Sequence, residues 1–215
     1  MIMIEPIVYV VDDDESFLTA TTRMLRVSGF AVKSFLSANE FLAQCDSDAQ
    51  GCVVADLRMP GLNGLDLQSA IAATRNPLPL VFLTGDGDIA STVRAMRGGA
   101  EDFLEKRASR DELIDAIRRA LARNGLEREA RSRQREVEQR FGALSSRELE
   151  VLRHVLRGRL NKQIAGDLGI NERTVKLHRA AMMAKLGVAS VAALTQLSQE
   201  AGVVTAGLPA FPKGQ

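Results

Sequence analysis

The sequence predicts an α/β domain built on a doubly wound, five-stranded parallel sheet, followed by an all-α domain. Three observations predict it. Short apolar runs alternate with amphipathic segments through the first 122 residues. Strand-helix alternation at that spacing implies βαβ units, a parallel sheet and right-handed crossovers. The remainder of the chain replaces the alternation with short helical patterns ended by glycines. The charge divides at the same place: residues 1–122 carry 12 Lys/Arg against 18 Asp/Glu, and residues 123–215 carry 16 against 9.

Taken in order, a strand is expected over 7–11 (Ile7-Val8-Tyr9-Val10-Val11) and a helix over 15–28, which Gly29 is suited to end. Strand 30–35 and helix 38–45 follow. Strand 52–56 (Cys52-Val53-Val54-Ala55-Asp56) precedes helix 64–74, which Asn76-Pro77 and Pro79 close. Strand 79–83, helix 88–98, strand 102–104 and helix 110–122 complete the first domain. From 123 to 142, arginines alternate with glutamates and apolar residues thin out to Leu126, Val137 and Phe141. This reads as an exposed linker helix continuing from the last helix of the first domain, with Asn124-Gly125 as a candidate interruption. Ser145-Ser146-Arg147-Glu148 is a capping-box sequence ahead of Leu149, Leu152, Val155 and Leu156. Helices over 161–168, 172–186 and 190–201 complete a domain spanning 143–202. A tail over 203–215, rich in Gly and Pro, is expected to be disordered.

Composition narrows the function classes. The 215 residues are 46% hydrophobic and 26% charged, an ordinary globular balance. No apolar run approaches the ~18 residues of a membrane span, and Met1 to Pro6 lacks the features of a secretion signal. A cytoplasmic protein without a membrane partner is expected. Cys45 and Cys52 form no metal-ligand pattern and read as reduced thiols, with Cys52 buried in a strand. The acidic first domain suits a cation; the basic remainder suits a polyanion.

A parallel sheet gathers the C-terminal ends of its strands along one edge, where such sheets bind ligands. Asp12 and Asp13, Asp56, Thr84 and Lys106 each follow an apolar run, so the topology brings them to one place. Three carboxylates, a hydroxyl and an ammonium suit a divalent cation and a phosphoryl group. Mg²⁺ prefers hard oxygen ligands; Asp13, Asp56 and the backbone carbonyl of Arg58 are candidate donors. Lys106 and Thr84 are placed to contact phosphoryl oxygens at Asp56. Asp14 reads as a helix cap. Arg58 stands where an Asp-x-Asp phosphatase has its second acid, which argues against an enzyme.

This constellation resembles the receiver domain of two-component response regulators over residues 6–122. The carrying residues are Val11-Asp12-Asp13-Asp14, Asp56-Leu57-Arg58-Met59-Pro60-Gly61-Leu62-Asn63-Gly64, Thr84-Gly85 and Lys106. The resemblance implies a CheY-like fold, Asp56 as the acceptor of phosphate from a sensor histidine kinase, and Asp12, Asp13 and Asp56 as an acidic metal site. It implies Thr84 and Phe103 as switch residues. The family usually has Lys-Pro where this chain has Lys106-Arg107. Arg58 and Asp86 are expected to tune the lifetime of the acyl phosphate.

In the second domain, Asn161 to Leu168, Gly169-Ile170 and Glu172 to Leu186 have helix-turn-helix proportions. Winding 172–186 at about 100° per residue places Val175, Met182 and Leu186 on a core stripe. Arg173, Lys176, Leu177, Ala180 and Met183 fall on the other side. Lys176, Leu177 and Ala180 suit base edges. Lys162, His178, Arg179 and Lys185 suit phosphates. The segment 143–202 resembles the C-terminal domain of LuxR-type regulators through Leu144-Ser145, Arg147-Glu148, Glu150-Val151-Leu152, Asn161-Lys162, Ile164-Ala165, Thr174-Val175-Lys176, His178, Met183, Lys185-Leu186 and Ser190. Together the two halves resemble the FixJ/NarL subfamily. That resemblance implies a transcription regulator that binds double-stranded DNA, forms a homodimer on activation, and has RNA polymerase as a further candidate partner.

Overall fold

The computed structural model describes residues 5–46, 48–85 and 88–202. The apolar runs become five parallel strands: β1 (Ile7–Val11), β2 (Ala31–Phe35), β3 (Gly51–Ala55), β4 (Leu80–Thr84) and β5 (Asp102–Glu105), in the order β2-β1-β3-β4-β5. The helices between them are α1 (Glu15–Val27), α2 (Ala38–Gln44), α3 (Gly64–Ala72) and α4 (Ile89–Arg97). The five expected strands and the first four helices are present, with ends shifted by at most two residues. The tail 203–215 and Asp86 lie outside the described residues.

Side chains on β1 alternate between two cores. Val8 and Val10 pack with Leu18, Leu25, Val54, Val81 and Ile117 on one face. Tyr9 and Val11 pack with Phe35, Phe41, Val53, Leu67 and Phe82 on the other. A sheet covered on both faces needs apolar residues at nearly every strand position, and β3 and β4 are buried throughout.

The helix after β5 continues into the linker segment, as the sequence reading expects, and the candidate break is absent. α5 runs from Arg110 to Gly142 without interruption at Asn124-Gly125. Asn124 is buried, and its Oδ1 accepts a hydrogen bond from the Gly51 N–H at 3.2 Å. That tertiary bond outweighs the local turn preference of Asn-Gly. Gly51 has φ +144°, and a Cβ there would lie 1.7 Å from the Ile7 carbonyl oxygen. Arg128 Nη1 donates to the carbonyls of Asp48 and Ala49 at 3.1 and 3.3 Å. The first compact unit accordingly runs to Glu129, beyond the expected end at 122.

The second unit begins at Ala130. The end of α5 is not merely exposed linker, because Val137 and Phe141, four residues apart, enter this unit's core. Among the described residues four helices follow: α6 (Ser146–Leu156), α7 (Asn161–Leu168), α8 (Glu172–Leu186) and α9 (Val191–Glu200). Ser145 and Glu148 form the reciprocal capping box. Gly169 ends α7 with φ +64°, a left-handed conformation that favours glycine. Asn171 then caps α8. Among the described residues, no single helix is long and apolar enough to cross a membrane.

Candidate functional site: an acidic pocket and a helix-turn-helix face

Asp12 follows β1 and is buried. Its N–H donates to the Phe35 carbonyl at 3.1 Å, and its Oδ1 accepts from the Asp14 N–H at 3.0 Å. Asp13 is exposed beside it. Asp56 follows β3 and is 7% exposed. Its N–H donates to the Val11 carbonyl at 2.9 Å, which sets it level with the end of β1. Gly64 lets the start of α3 lie against this loop, because a Cβ there would meet the Asp56 carbonyl oxygen at 2.5 Å. One carboxylate oxygen from each of Asp12, Asp13 and Asp56 lies within 4.8 Å of the others.

Lys106 closes the cluster from just past β5. Its Nζ lies 2.7 Å from Asp12 Oδ2 and 2.9 Å from Asp56 Oδ2. Its backbone N–H donates to the Thr84 carbonyl at 2.7 Å, tying it to the end of β4. Burial by itself would pull the Lys106 ammonium down, but the hydrogen bonds to Asp12 and Asp56 outweigh it and hold its pKa above the ordinary lysine value. Burial pushes the Asp12 carboxyl up; the Asp56 charge adds to this, and the bonds from Lys106 and the Asp14 N–H oppose it. The Lys106-Arg107 peptide is trans, and Arg107 is exposed and paired with Glu105. Lys106 thus reaches both aspartates without the family proline.

The other expected residues lie around this cluster. Thr84 is buried at the end of β4. Phe103 is half-buried and packs on Phe82, with ring centroids 5.8 Å apart. The Arg58 N–H donates to Asp56 Oδ1 at 3.3 Å, while its guanidinium lies 3.8 Å from Asp88. A cleft of about 620 Å³ opens here, lined by Asp13, Arg58, Met59, Asn63, Ser91 and Arg94 among others. Asp14 caps α1, accepting from the N–H groups of Ser16 and Phe17. Sequence reasoning missed two partners: Asp88, and Phe17, whose ring centre is 4.5 Å from Lys106 Nζ. Phe17 stands in the turn that Asp14 caps, which is the local signal that was available.

In the second unit, Val175, Met182 and Leu186 of α8 are fully buried, as the helical winding expects. Arg173, Lys176, Leu177 and Ala180 are exposed, Leu177 to 68%. Lys162, at the start of α7, is also exposed. His178 and Arg179 are half-buried, and Arg179 Nη1 donates to Asn161 Oδ1 at 3.1 Å. Thr174 donates through both its N–H and its hydroxyl to the capping Asn171. Met183 is half-buried against the core rather than opposite it. Lys185 Nζ is 2.7 Å from Glu148 Oε2. The exposed face is therefore narrower than the sequence predicts, centred on Lys176, Leu177 and Ala180.

Residues 8–118 match the model of the response regulator receiver domain, and residues 142–198 match that of bacterial regulatory proteins of the luxR family. The chain is a response regulator of the FixJ/NarL type. It is 42% identical to nodulation protein W of Bradyrhizobium diazoefficiens over 92% of this chain and 87% of that protein. It is 40% identical to the transcriptional regulatory protein FixJ of Azorhizobium caulinodans, over 93% and 94%. The solved structure of the response regulator StyR matches with a TM-score of 0.86 at 45% identity, over 92% of this chain and all of that one. This response regulator thus joins a receiver, whose strand ends carry the acidic cluster, to a LuxR-type DNA-binding domain, and it belongs to the transcriptional regulators of two-component systems.

Proposed function

We propose that Asp56 is the phosphoacceptor and that its modification by a sensor histidine kinase controls dimerisation and DNA binding. The observation that carries this reading is the cluster of Asp12, Asp13 and Asp56 with the Lys106 ammonium bound to two of the three. In the transfer, the phosphorus–nitrogen bond of a kinase phosphohistidine breaks and a carboxylate oxygen of Asp56 bonds to phosphorus. The released electron pair stays on the imidazole. The donor set is all oxygen, which suits Mg²⁺; Asp12, Asp13, Asp56 and the Arg58 carbonyl would hold it. Bound there, the ion neutralises charge on the phosphoryl oxygens.

Lys106 exchanges its hold on the Asp56 carboxylate for a phosphoryl oxygen. The Thr84 hydroxyl donates to another, and Phe103 fills the space that Thr84 vacates. This biases a two-state equilibrium of the surrounding loops and helices. The functional divisions are a receiver (1–122), a linker helix (123–142) and a helix-turn-helix domain (143–202). A two-fold dimer would set two copies of α8 about 34 Å apart on one face of a duplex. Lys176, Leu177 and Ala180 then meet base edges; Lys162, Thr174, His178 and Arg179 meet the backbone. RNA polymerase is the partner through which a bound dimer acts, and the cytoplasm is where all of this takes place.

The test is phosphorylation of the full chain with acetyl phosphate and Mg²⁺, read by intact mass. One phosphoryl adduct is expected, absent in Asp56→Asn and without Mg²⁺. Beryllofluoride should raise dimer content and promoter-DNA affinity in the native chain and not in Asp56→Asn. An unlabelled native chain, or equal DNA binding by both proteins under beryllofluoride, refutes the reading.

A further inference from the structure

Lys106 is held from three sides: by Asp12 Oδ2, by Asp56 Oδ2 and by the face of Phe17, whose ring centre is 4.5 Å from Nζ. The Asp56 contact is the one that chemistry alters, because one of its oxygens becomes part of a mixed anhydride. The ring stays as it is. Its place is set locally. Asp14 accepts from the Phe17 N–H at 3.1 Å, and the Asp14 N–H donates to Asp12 Oδ1 at 3.0 Å, so a single turn carries both Asp12 and Phe17. Behind the ring lies the apolar cluster of Val8, Val10 and Leu18, and Leu104 of β5 packs against the same cluster. After Lys106, Arg107 is exposed and turned to Glu105. The ammonium therefore sits on an aromatic face backed by core.

We propose that Phe17 is a positioning residue for phosphoryl transfer: its ring keeps the Lys106 ammonium over the pocket while Asp56 passes from carboxylate to acyl phosphate. An ammonium over an aromatic face is attracted by the ring quadrupole. The residue acts through Lys106 and touches no reacting atom. The inference rests on Asp56 being the phosphoacceptor.

The experiment is the rate of Mg²⁺-dependent labelling by acetyl phosphate in the full chain, for the native protein, Phe17→Leu, Phe17→Met, Phe17→Tyr, Lys106→Ala and Phe17→Leu/Lys106→Ala, with melting temperatures alongside. Phe17→Leu and Phe17→Met should slow labelling by about five- to tenfold, and Phe17→Tyr should label at close to the native rate. In the Lys106→Ala background, Phe17→Leu should add no further loss, since a residue that acts through a partner has no effect once the partner is gone. Labelling of Phe17→Leu at the native rate overturns the proposal. So does a loss that persists in Lys106→Ala or tracks melting temperature, because either makes the ring a packing element only. A native chain that takes no label at all instead overturns the phosphoacceptor reading and this inference with it.

Discussion

Lys185 Nζ lies 2.7 Å from Glu148 Oε2, which joins the last turn of α8 to the first turn of α6. The same carboxylate oxygen accepts from the Ser145 N–H at 2.7 Å, so the capping box and the ion pair share an atom. A lysine that the sequence offers to DNA is thus engaged by its own domain.

Salt dependence of DNA affinity separates the two roles. Each phosphate neutralised contributes about 0.9 to the slope of log affinity against log salt concentration. Lys162→Gln, at an exposed position on α7, should lower the slope by about that amount. Lys185→Gln should weaken binding with little change in slope. Fluorescence anisotropy with a promoter duplex across a salt series measures both.

The Glu148 carboxyl is held below the usual glutamate range, first by the Lys185 hydrogen bond and then by the Ser145 N–H. A depressed folded-state pKa contributes stability that is complete above the unfolded value, here 4.5, and is lost as pH falls through the folded value. Glu148→Gln should therefore be less stable than the native chain near neutrality, by about 1 kcal/mol since the Lys185 side chain is partly exposed. The difference should shrink as pH drops below that range. Urea unfolding followed by circular dichroism from pH 3 to pH 7 is the measurement.

Gly51→Ala should abolish folding of the receiver, because the added Cβ would meet the Ile7 carbonyl carbon and oxygen at 2.7 and 1.7 Å. Asn124→Ala should be milder. It leaves the buried Gly51 N–H without its acceptor, a loss of about 1–3 kcal/mol. Soluble yield reads the first, and denaturant midpoints read the second.

The two thiols should differ sharply. Burial pushes the Cys52 thiol up to about 12. Cys45 is half-buried, and its thiol is also raised, by burial and by Asp46, though less. A disulfide exchange reagent at pH 8 should titrate one thiol slowly in the native chain, none in Cys45→Ser, and both in native chain unfolded in urea.

Much of this architecture was legible because it is written in short-range pattern. The strands stand out as apolar runs since both faces of the sheet are covered. The core stripe of α8 follows from 100° winding because Val175, Met182 and Leu186 sit near its centre. Met183 lies one residue round from Met182, at the margin of that stripe, and a helical wheel cannot say which way a margin falls. The acidic cluster was readable from strand ends alone. Three features were not, because their partners are distant in the chain: Asn124 answers Gly51, Lys185 answers Glu148, and Phe17 answers Lys106. In each, a tertiary contact reassigns a residue whose local signal points elsewhere.

The strand bearing Asp56 is fastened at both tips: Gly51 N–H to the Asn124 side chain at one, Asp56 N–H to the Val11 carbonyl at the other. On the proposed reading, the helix that leads out of the receiver meets the strand before the phosphoacceptor as an anchorage, held at Gly51 by its own Asn124.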